Sequence, residues 1–529
     1  MPLRGMHGRP LVRASPGQAT THRGLVLTGV MGAVFLAAME STVVATAMPT
    51  VIAALGGIRI YSWVFSAFLL ASTVTMPIWG RLADQHGRRR TYLAGLAIFL
   101  VGSALSGLAQ SMNQLIAFRT LQGLGAGSLI TLGMTIIGDL YDLERRAKMQ
   151  GYFSGVWGVA SLVGPLLGGV LADTVSWRWV FYINIPFGLL AAGAIAWGLH
   201  DEPSSHRPVI FDHAGTLLFT GAVSSLLLGL VEGGREASWT RGPVMGLLIA
   251  SAVLLAAFVL VERRAAQPLI PLGLFRNPMV RAAAATGLLS GMAMFGAIAY
   301  IPLFLQAVVG STATQAGFVL TPFILGWVTF SILGARLCLR VGYRGVVVAG
   351  MAVLTLGFLL FSGWSESLTR MTAASHIVLA GVGMGLVFVP MLIAVQNAVP
   401  RAALGSATSV ISFFRAIGGT VGVAVMGSVM AHRLHTELGG LLAAAPASLQ
   451  EGLRRVVEHP DVLVNPMTRA GLGPDVLMLI RPAMAHAVGG VFTVGLAVCV
   501  VALASAFLVP AGQARDLAAA QEPAAPTRS

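Results

Sequence analysis

The sequence predicts an all-α integral membrane protein with fourteen transmembrane helices. Of its 529 residues, 56% are hydrophobic and only 10% are charged, and the mean hydropathy is +0.81. Soluble domains carry about 25% charged residues, so this composition excludes an ordinary soluble fold. The apolar runs are about 20 residues long, which is the length of a membrane-spanning helix, and they lack the ~10-residue alternation of a membrane β-barrel.

Most loops between the apolar runs are short, so helices that are neighbours in sequence are predicted to be antiparallel. The fourteen predicted spans are 25–48, 62–80, 92–110, 114–138, 150–172, 179–199, 213–232, 243–261, 282–306, 314–335, 345–364, 372–396, 404–431 and 487–510. Residues 432–486 are predicted to be a long external loop. Its segment 449–457 has the apolar spacing of a short amphipathic helix, which we interpret as a connector lying on the membrane surface and not as a docking site for a partner.

The distribution of charge predicts that both termini lie in the cytoplasm. The net charge is +14, and 22 of the 34 basic residues fall in predicted cytoplasmic segments, 10 in external segments and two, Arg119 and Arg415, within spans. This asymmetry follows the positive-inside rule for a multi-pass protein of the cell membrane. The positive charge therefore reflects topology, and no nucleic-acid-binding motif accompanies it. Residues 1–24 and 511–529 are interpreted as cytoplasmic tails, and no signal-peptide cleavage pattern is present.

A weak internal repeat predicts two six-helix bundles with an inserted helix pair. Gly80-Arg-Leu-Ala-Asp-Gln-His-Gly-Arg-Arg-Arg90 follows span 2, and Gly334-Ala-Arg-Leu-Cys-Leu-Arg-Val-Gly-Tyr-Arg344 follows span 10. These loops occupy equivalent places if spans 1–6 and spans 9–14 are the two bundles. The predicted domains are then 25–200, 201–264 for the inserted spans 7 and 8, and 265–510. Transporters built from repeated halves hold their substrate at the interface of the halves near mid-membrane.

Glu40 is an acidic residue inside the first apolar span, Val34–Pro49. A charged side chain near the bilayer centre costs roughly 2.5–3.5 kcal/mol, so such a residue usually binds a proton, an ion or a substrate. With a rise of ~1.5 Å per residue, Glu40 lies about 22 Å from the cytoplasmic side. Arg119, on the antiparallel span 4, also lies about 22 Å from that side. We therefore expect the two side chains to interact, directly or through water.

The loop after span 2 has a composition that suits a tight, charged turn. Gly80 and Gly87 permit the turn, and Asp84 can pair with Arg88 or another of the nearby arginines. The basic cluster then anchors this end of the bundle at the membrane surface.

Two further motifs lie in spans 4 and 5. Leu115–Gly127 contains Arg119 and several glycines, and Gly155–Gly169 ends in Gly164-Pro165-Leu-Leu-Gly168-Gly169. Proline removes a helix hydrogen bond, and the glycines allow bending and close approach of neighbouring helices. This arrangement is more specific than general small-residue packing.

Together with Trp177–Gly188 in span 6 and Gly405–Gly422 in span 13, these motifs resemble the major facilitator superfamily, specifically its fourteen-span drug/proton antiporters. The resemblance covers about residues 25–430 and the last span. The motif of span 5 is associated in this superfamily with exporters. The subgroup usually has aspartate where this chain has Glu40, whose carboxyl group reaches about one methylene further.

The resemblance implies residue roles as well as a fold. Proton coupling is expected at Glu40 and Arg119, and alternating access is expected to use Gly80, Asp84, Gly87, Arg88, Gly164, Pro165, Gly168 and Gly169 as a conformational gate. Methionine and aromatic side chains make adaptable cavity walls. The candidate cavity residues are Met39, Gln122, Met292, Met294, Phe295, Tyr300, Gln306, Trp327, Asn397, Phe414 and Arg415. Arg415 has two interpretations of equal weight: it binds an anionic group, or it ties span 13 to the N-terminal half.

The expected function is proton-coupled efflux of lipophilic or cationic drugs by a secondary antiporter. An enzyme is not expected, since no Walker A loop, nucleophile elbow or His-Glu-x-x-His site is present. The alternatives are a dedicated exporter of a lipid, siderophore or secondary metabolite, and a membrane sensor or scaffold without transport. Sodium is the main alternative to protons. The expected partners are the lipid bilayer, small-molecule substrates and protons, for a monomer with no cofactor and no metal site.

Overall fold

Fourteen long helical segments form the protein in the computed structural model, which describes residues 21–55, 63–141, 143–201, 212–235, 239–266, 268–311, 313–458 and 471–511. In the N-terminal half the helices are α1 (Arg23–Leu55), α2 (Trp63–His86), α3 (Arg88–Leu108), α4 (Met112–Leu140), α5 (Leu143–Thr174), α6 (Trp179–Tyr182) and α7 (Asn184–Gly198). They are followed by α8 (His213–Arg235) and α9 (Gly242–Glu262). The C-terminal half contains α10 (Pro278–Ala307), α11 (Ala313–Val341), α12 (Tyr343–Ser362), α13 (Arg370–Ala398), α14 (Leu404–Ala444), α15 (Ala447–Glu458) and α16 (Pro474–Ala506).

The predicted fold class is confirmed by these elements. Within the described ranges, 13 helical segments are long and apolar enough to cross a membrane, with α6 and α7 together counted as one. Helix α5, with 32 residues, is the fourteenth long segment and packs between α1 and α11.

The two six-helix bundles repeat one packing pattern. In the N-terminal bundle α4 packs against α2 and α3, and α1 packs against α5 and α7. In the C-terminal bundle α13 packs against α11 and α12, and α10 packs against α14 and α16. The bundles meet through α2 against α14 and, equivalently, α5 against α11. Each bundle has its own hydrophobic core, so the interface between them is made by few helices.

The two repeated loops have the same backbone conformation. Gly87 precedes α3 with φ 94° and ψ 157°, and Gly342 precedes α12 with φ 86° and ψ 164°. This region of backbone space is accessible essentially only to glycine. The glycines therefore allow each bundle to reverse direction between its second and third helices in a single residue.

The inserted pair α8–α9 forms a third hydrophobic cluster with α2 and α14. Phe219 on α8 lies between Phe258 on α9 and Phe413 on α14, with ring centroids 5.4 and 5.2 Å apart. Val74 and Met76 of α2 belong to the same cluster. The pair therefore packs beside one of the two contacts between the bundles.

The prediction that residues 432–486 form a loop is wrong for most of that range. Helix α14 continues to Ala444, and α16 begins at Pro474, while residues 459–470 lie outside the described part of the chain. The apolar run stops near residue 431, but Leu434 and Leu438 remain buried and hold the next turns of α14 against the protein.

The predicted amphipathic helix is present as α15. Its Leu453 and Val456 are fully buried, and the helix packs on α14 and α16. Its apolar face therefore joins the C-terminal hydrophobic cluster, and its position on the membrane surface stays a prediction.

Gly342→Ala is expected to lower the free energy of unfolding by about 1–3 kcal/mol, because alanine is strained at φ 86° and ψ 164°. The measurement is the midpoint of thermal unfolding of the purified protein in detergent. Gly193→Ala is the control, because this glycine lies inside α7 with open space where a Cβ would be. Equal midpoints for the two variants would contradict the assigned role of Gly342.

Candidate functional site

A fully buried ion pair joins α1 to α4. Arg119 Nη1 lies 2.5 Å from Glu40 Oε1, and neither side chain is exposed to solvent. The depth estimate from the sequence predicts this proximity, because both residues lie equally far along antiparallel helices. A buried pair of this kind is stabilised by additional hydrogen bonds to the remaining polar atoms of both groups.

Helix α7 supplies the second partner of Glu40. Asn184 donates a hydrogen bond from Nδ2 to Glu40 Oε2 at 2.6 Å and lies 2.9 Å from Ser103 Oγ. Ser103, on α3, donates in turn to the Phe181 carbonyl oxygen at 2.8 Å. The short break between α6 and α7 at Ile183 places Phe181 and Asn184 next to each other at this point. Both carboxylate oxygens of Glu40 therefore accept a hydrogen bond, from two different helices.

Arg119 is held from several sides. Its Nη1 also lies 2.7 Å from Gln122 Oε1, and its Nε donates to the Val64 carbonyl oxygen at 3.3 Å. The guanidinium carbon lies 4.1 Å from the centre of the Phe68 ring and 5.9 Å from that of Phe181. Aromatic faces attract a desolvated cation, so these rings stabilise the charge of Arg119.

Two buried polar atoms in this cluster have no hydrogen-bond partner among the described residues: Arg119 Nη2 and Asn184 Oδ1. An unsatisfied buried polar atom costs roughly 1–3 kcal/mol. The cluster therefore keeps one unused donor and one unused acceptor close to the ion pair.

A second charged cluster lies at one end of the bundles, which we call the Asp84 end. Arg88 Nη1 lies 2.5 Å from Asp84 Oδ1, and Arg88 Nε lies 2.9 Å from Asp139 Oδ2. Asp84 also accepts hydrogen bonds from the backbone N–H groups of Gly405 and Ser406 at 3.0 and 2.7 Å. Helix α14 has no capping side chain of its own. A carboxylate from the opposite bundle therefore satisfies its first N–H groups and interacts with its dipole.

Other contacts join the bundles at the same end. Arg146 on α5 donates to Asn397 Oδ1 on α13 at 2.8 Å, and Asn397 donates to the Tyr343 hydroxyl at 2.8 Å. Gln396 donates to the Met134 carbonyl oxygen of α4 at 3.3 Å. In this conformation the two bundles are therefore joined by hydrogen bonds at the Asp84 end.

The predicted gate glycines lie at close helix contacts. A Cβ on Gly80 would lie 2.7 Å from the Gly405 carbonyl oxygen, so this glycine lets α2 approach α14. Gly164 faces Met39 and Thr42 of α1, and Gly168 is buried in α5. Pro165 and Gly169 belong to α5, but their surroundings lie outside the described part of the structure. The role of these residues in gating stays a prediction.

Several predicted cavity residues occupy other positions. Met39 and Met294 are 1% and 3% exposed and pack inside the cores of the two bundles. Gln122 is a partner of Arg119, and Asn397 belongs to the contacts at the Asp84 end. The cavity role of these four residues stays a prediction, since a sequence does not define the rotation of an apolar helix about its axis.

The remaining cavity candidates are at least partly accessible. Tyr300 donates to the Val423 carbonyl oxygen at 3.1 Å, which fixes α10 to α14. Trp327, Phe414 and Arg415 are half-buried near the contact between the bundles, and Phe414 packs against both the C-terminal core and the cluster of the inserted pair. Met292 and Gln306 are half-buried on α10, and Phe295 is exposed.

Asn184 and Ser103 are the functional candidates that the sequence reasoning missed. Asn184 is a polar residue in an otherwise apolar span, and it belongs to the Trp177–Gly188 motif. A polar side chain at membrane depth needs a partner, so its isolation was an available signal. Ser103 offered no such signal, because serine can satisfy its own helix backbone.

Comparison with known proteins places this architecture in a family. The model of the Major Facilitator Superfamily matches residues 30–423. The multidrug transporter protein MdtP of Bacillus subtilis strain 168 is 36% identical over 507 residues, which cover 92% of this chain and 93% of MdtP. The acurin A biosynthesis cluster MFS-type transporter of Aspergillus aculeatus is 30% identical, covering 97% and 93% of the two chains. The solved structure of the proton:xylose symporter XylE aligns with a TM-score of 0.59 at 12% identity over 95% of this chain and 99% of that chain, and it supports the fold alone.

Arg119→Met is expected to destabilise the protein by about 3–5 kcal/mol, because it leaves the Glu40 carboxylate buried without its counter-charge. Adding Glu40→Gln should recover much of the lost free energy of unfolding, since a neutral glutamine needs no counter-charge. A double-mutant cycle on thermal unfolding in detergent measures the coupling. Arg455→Met is the control, because the pair that it removes with Glu451 is exposed and worth at most about 1 kcal/mol. Additive effects of the two buried substitutions would contradict a coupled pair.

Asp84→Asn is expected to separate the bundles at the Asp84 end, because an amide loses the ion pair with Arg88 and the attraction to the α14 terminus. Spin labels are attached to cysteines that replace the exposed His86 and Ala402, in a chain whose native cysteines are removed by Cys338→Ala and Cys499→Ala. Pulsed electron paramagnetic resonance then measures the distance between the two labels. The fraction of long distances should rise. Asp475→Asn, in the first turn of α16, serves as the control. An unchanged distance distribution would show that Asp84 does not hold this end closed.

Proposed function

The chain belongs to the major facilitator superfamily, and we propose that it is a proton-coupled antiporter that exports lipophilic drugs across the cytoplasmic membrane. The resemblance to the multidrug transporter MdtP over nearly the whole of both chains supports drug efflux. The observation that carries proton coupling is the buried contact between Glu40 and Arg119, because Glu40 is the only acidic residue well inside a predicted span. Sodium coupling is the alternative that the same acid would also serve.

In the proposed mechanism Glu40 is the proton carrier. When the carboxylate is ionised, it attracts Arg119 and accepts the hydrogen bond of Asn184, which ties α1 to α4 and α7. Protonation removes the negative charge and weakens both interactions at once. The relative positions of these three helices then change, and the proton enters from outside and leaves inside as the bundles alternate.

The Asp84 end is proposed to be the cytoplasmic gate, with both chain termini on that side. Its ion pairs and the cap on α14 join the bundles when the pathway is open to the outside. Breaking them lets the bundles rock and opens the pathway to the cytoplasm. We propose the bundle boundaries 25–200 and 265–510 for these rigid units, with 201–264 as the inserted pair and with the protein acting as a monomer in the lipid bilayer.

A second candidate function is the export of a dedicated secondary metabolite, lipid or siderophore. The relative from Aspergillus aculeatus, described as a transporter of a biosynthesis cluster, favours this alternative. Both functions use the same proton site and gate. They differ only in the breadth of substrates that the cavity accepts.

Glu40→Gln is expected to abolish drug accumulation in inverted membrane vesicles, since the amide cannot carry a proton. The assay follows a panel of fluorescent lipophilic dyes in vesicles energised by respiration, with a protonophore added to collapse the gradient. Glu437→Gln, at a partly exposed position, is the control and should transport normally. Dye accumulation by Glu40→Gln, or accumulation that persists without any proton gradient, would refute proton coupling at Glu40.

A further inference from the structure

The charges within the predicted spans do not balance. Glu40 is the only acidic residue well inside a predicted span, whereas Arg119 and Arg415 are both within spans. Glu40 Oε1 is engaged by Arg119, and Glu40 Oε2 is engaged by Asn184. The single carboxylate within the predicted spans is therefore already bound by two partners, and no second carboxylate there balances the charge of Arg415.

The guanidinium of Arg415 contacts an aromatic ring and not an acidic side chain. Its guanidinium carbon lies 3.8 Å from the centre of the Phe388 ring on α13, and the side chain is half-buried on α14. Among the residues that the structure describes, none receives a hydrogen bond or an ion pair from this guanidinium. The ring supplies part of the stabilisation that a cation needs away from water, but it leaves the five N–H donors of the guanidinium unused.

A second donor lies beside the same ring. Trp327 on α11 packs edge to face on Phe388, with the ring centroids 6.1 Å apart, and its buried indole N–H has no hydrogen-bond partner. Ser331, one turn further along α11, also has a buried hydroxyl without a partner. The surroundings of Phe388 therefore offer unused donors, and an indole or a guanidinium cannot act as an acceptor.

Phe388 lies where the two bundles meet, because it packs against the hydrophobic cores of both. Phe414, the neighbour of Arg415 on α14, adds a further half-buried aromatic wall. A ligand at this place would contact aromatic surface with its apolar body and unused donors with its polar end.

From this arrangement we propose that Arg415 is a specificity-determining residue for substrates that are amphipathic anions, with a carboxylate or a similar acidic group bound by its guanidinium. An anion supplies the missing negative charge and pairs with the guanidinium in two parallel hydrogen bonds. The inference rests on the proposed function for the existence of a substrate, and it gives the charge of that substrate. It favours anions over the cationic drugs that the sequence suggests, since a cation at this place would face Arg415 without a free carboxylate.

The alternative role of Arg415, an ion pair with the N-terminal half, lacks an acceptor. Asp84 binds the first turn of α14, and Arg415 lies about 14 Å deeper along the same helix. Glu40, the other candidate, is enclosed by Arg119 and Asn184. Since neither acid is available to Arg415 among the described residues, ligand binding is the interpretation that we favour for its charge.

The test measures binding, which needs no proton gradient. The full-length protein in lipid nanodiscs is titrated with three probes that share one aromatic body: pyrenebutanoate, pyrenebutanol and a pyrenebutyl-trimethylammonium salt. Pyrenebutanoate should bind roughly tenfold or more tightly than the neutral alcohol, because hydrogen bonds to a charged group are stronger than those to a neutral one. Arg415→Gln should remove this preference and leave the affinity for pyrenebutanol unchanged within about twofold, whereas Arg415→Lys should retain part of it.

Trp327→Phe is the second variant, because it keeps the ring on Phe388 and removes only the N–H donor. It should weaken binding of pyrenebutanoate several-fold and spare pyrenebutanol. Arg455→Gln, at an exposed position, is the control for the loss of one positive charge and should bind all three probes as the original chain does. The inference is overturned if the anion binds no more tightly than the alcohol, or if Arg415→Gln weakens all three probes equally. Failure of proton-driven accumulation with anion binding intact would refute the coupling and leave this inference standing.

Discussion

The contact between Glu40 and Arg119 is the constraint on which the N-terminal bundle depends. Two opposite charges have been removed from water, and hydrogen bonds from the surrounding helices offset much of the lost hydration. These contacts bring together α1, α2, α3, α4 and α7: Phe68 covers the guanidinium, and Ser103 and Asn184 orient the carboxylate. A change of charge at Glu40 therefore acts on several helices at once, because each of them contributes a group whose position was set by that charge.

Helix α4 connects this buried pair to the Asp84 end. Arg119 and Asp139 lie on the same helix, 20 residues or about 30 Å apart, and Asp139 binds Arg88, which in turn binds Asp84. Helix α2 makes a parallel connection, since it carries Phe68 near the ion pair and Asp84 at the other end. Helices are stiff along their length, so a tilt or rotation at the ion pair reaches the cap on α14 through two rigid elements. This physical continuity supports the proposed relation between proton binding and the opening of the Asp84 end, and it requires no chain of side-chain rearrangements between them.

Sequence reasoning was most successful where one regular quantity decides the answer. The rise of a helix predicts that Glu40 and Arg119 lie at equal depth, and the glycine spacing predicts the equivalent turns at Gly87 and Gly342. It does not decide rotation about a helix axis, since nothing in an apolar span indicates which neighbours Met39 packs against. It failed beyond the apolar run of α14, since the end of hydrophobicity marks the end of the membrane and not the end of the helix.

Arg119 and Arg415 are the two basic residues within the predicted spans, and their surroundings differ. Arg119 is fully buried with a carboxylate, a glutamine and a backbone carbonyl as partners, so its charge is neutralised within the protein. Among the described residues, the contact of the Arg415 guanidinium is with the face of Phe388, a ring that packs against the cores of both bundles. A charge that the protein itself neutralises holds helices together, whereas the proposed role of the Arg415 charge is to select the ligand that completes it. Since the chain has a single acid well inside its predicted spans, that acid can neutralise only one of the two arginines, and the other supports the proposed preference for anionic substrates.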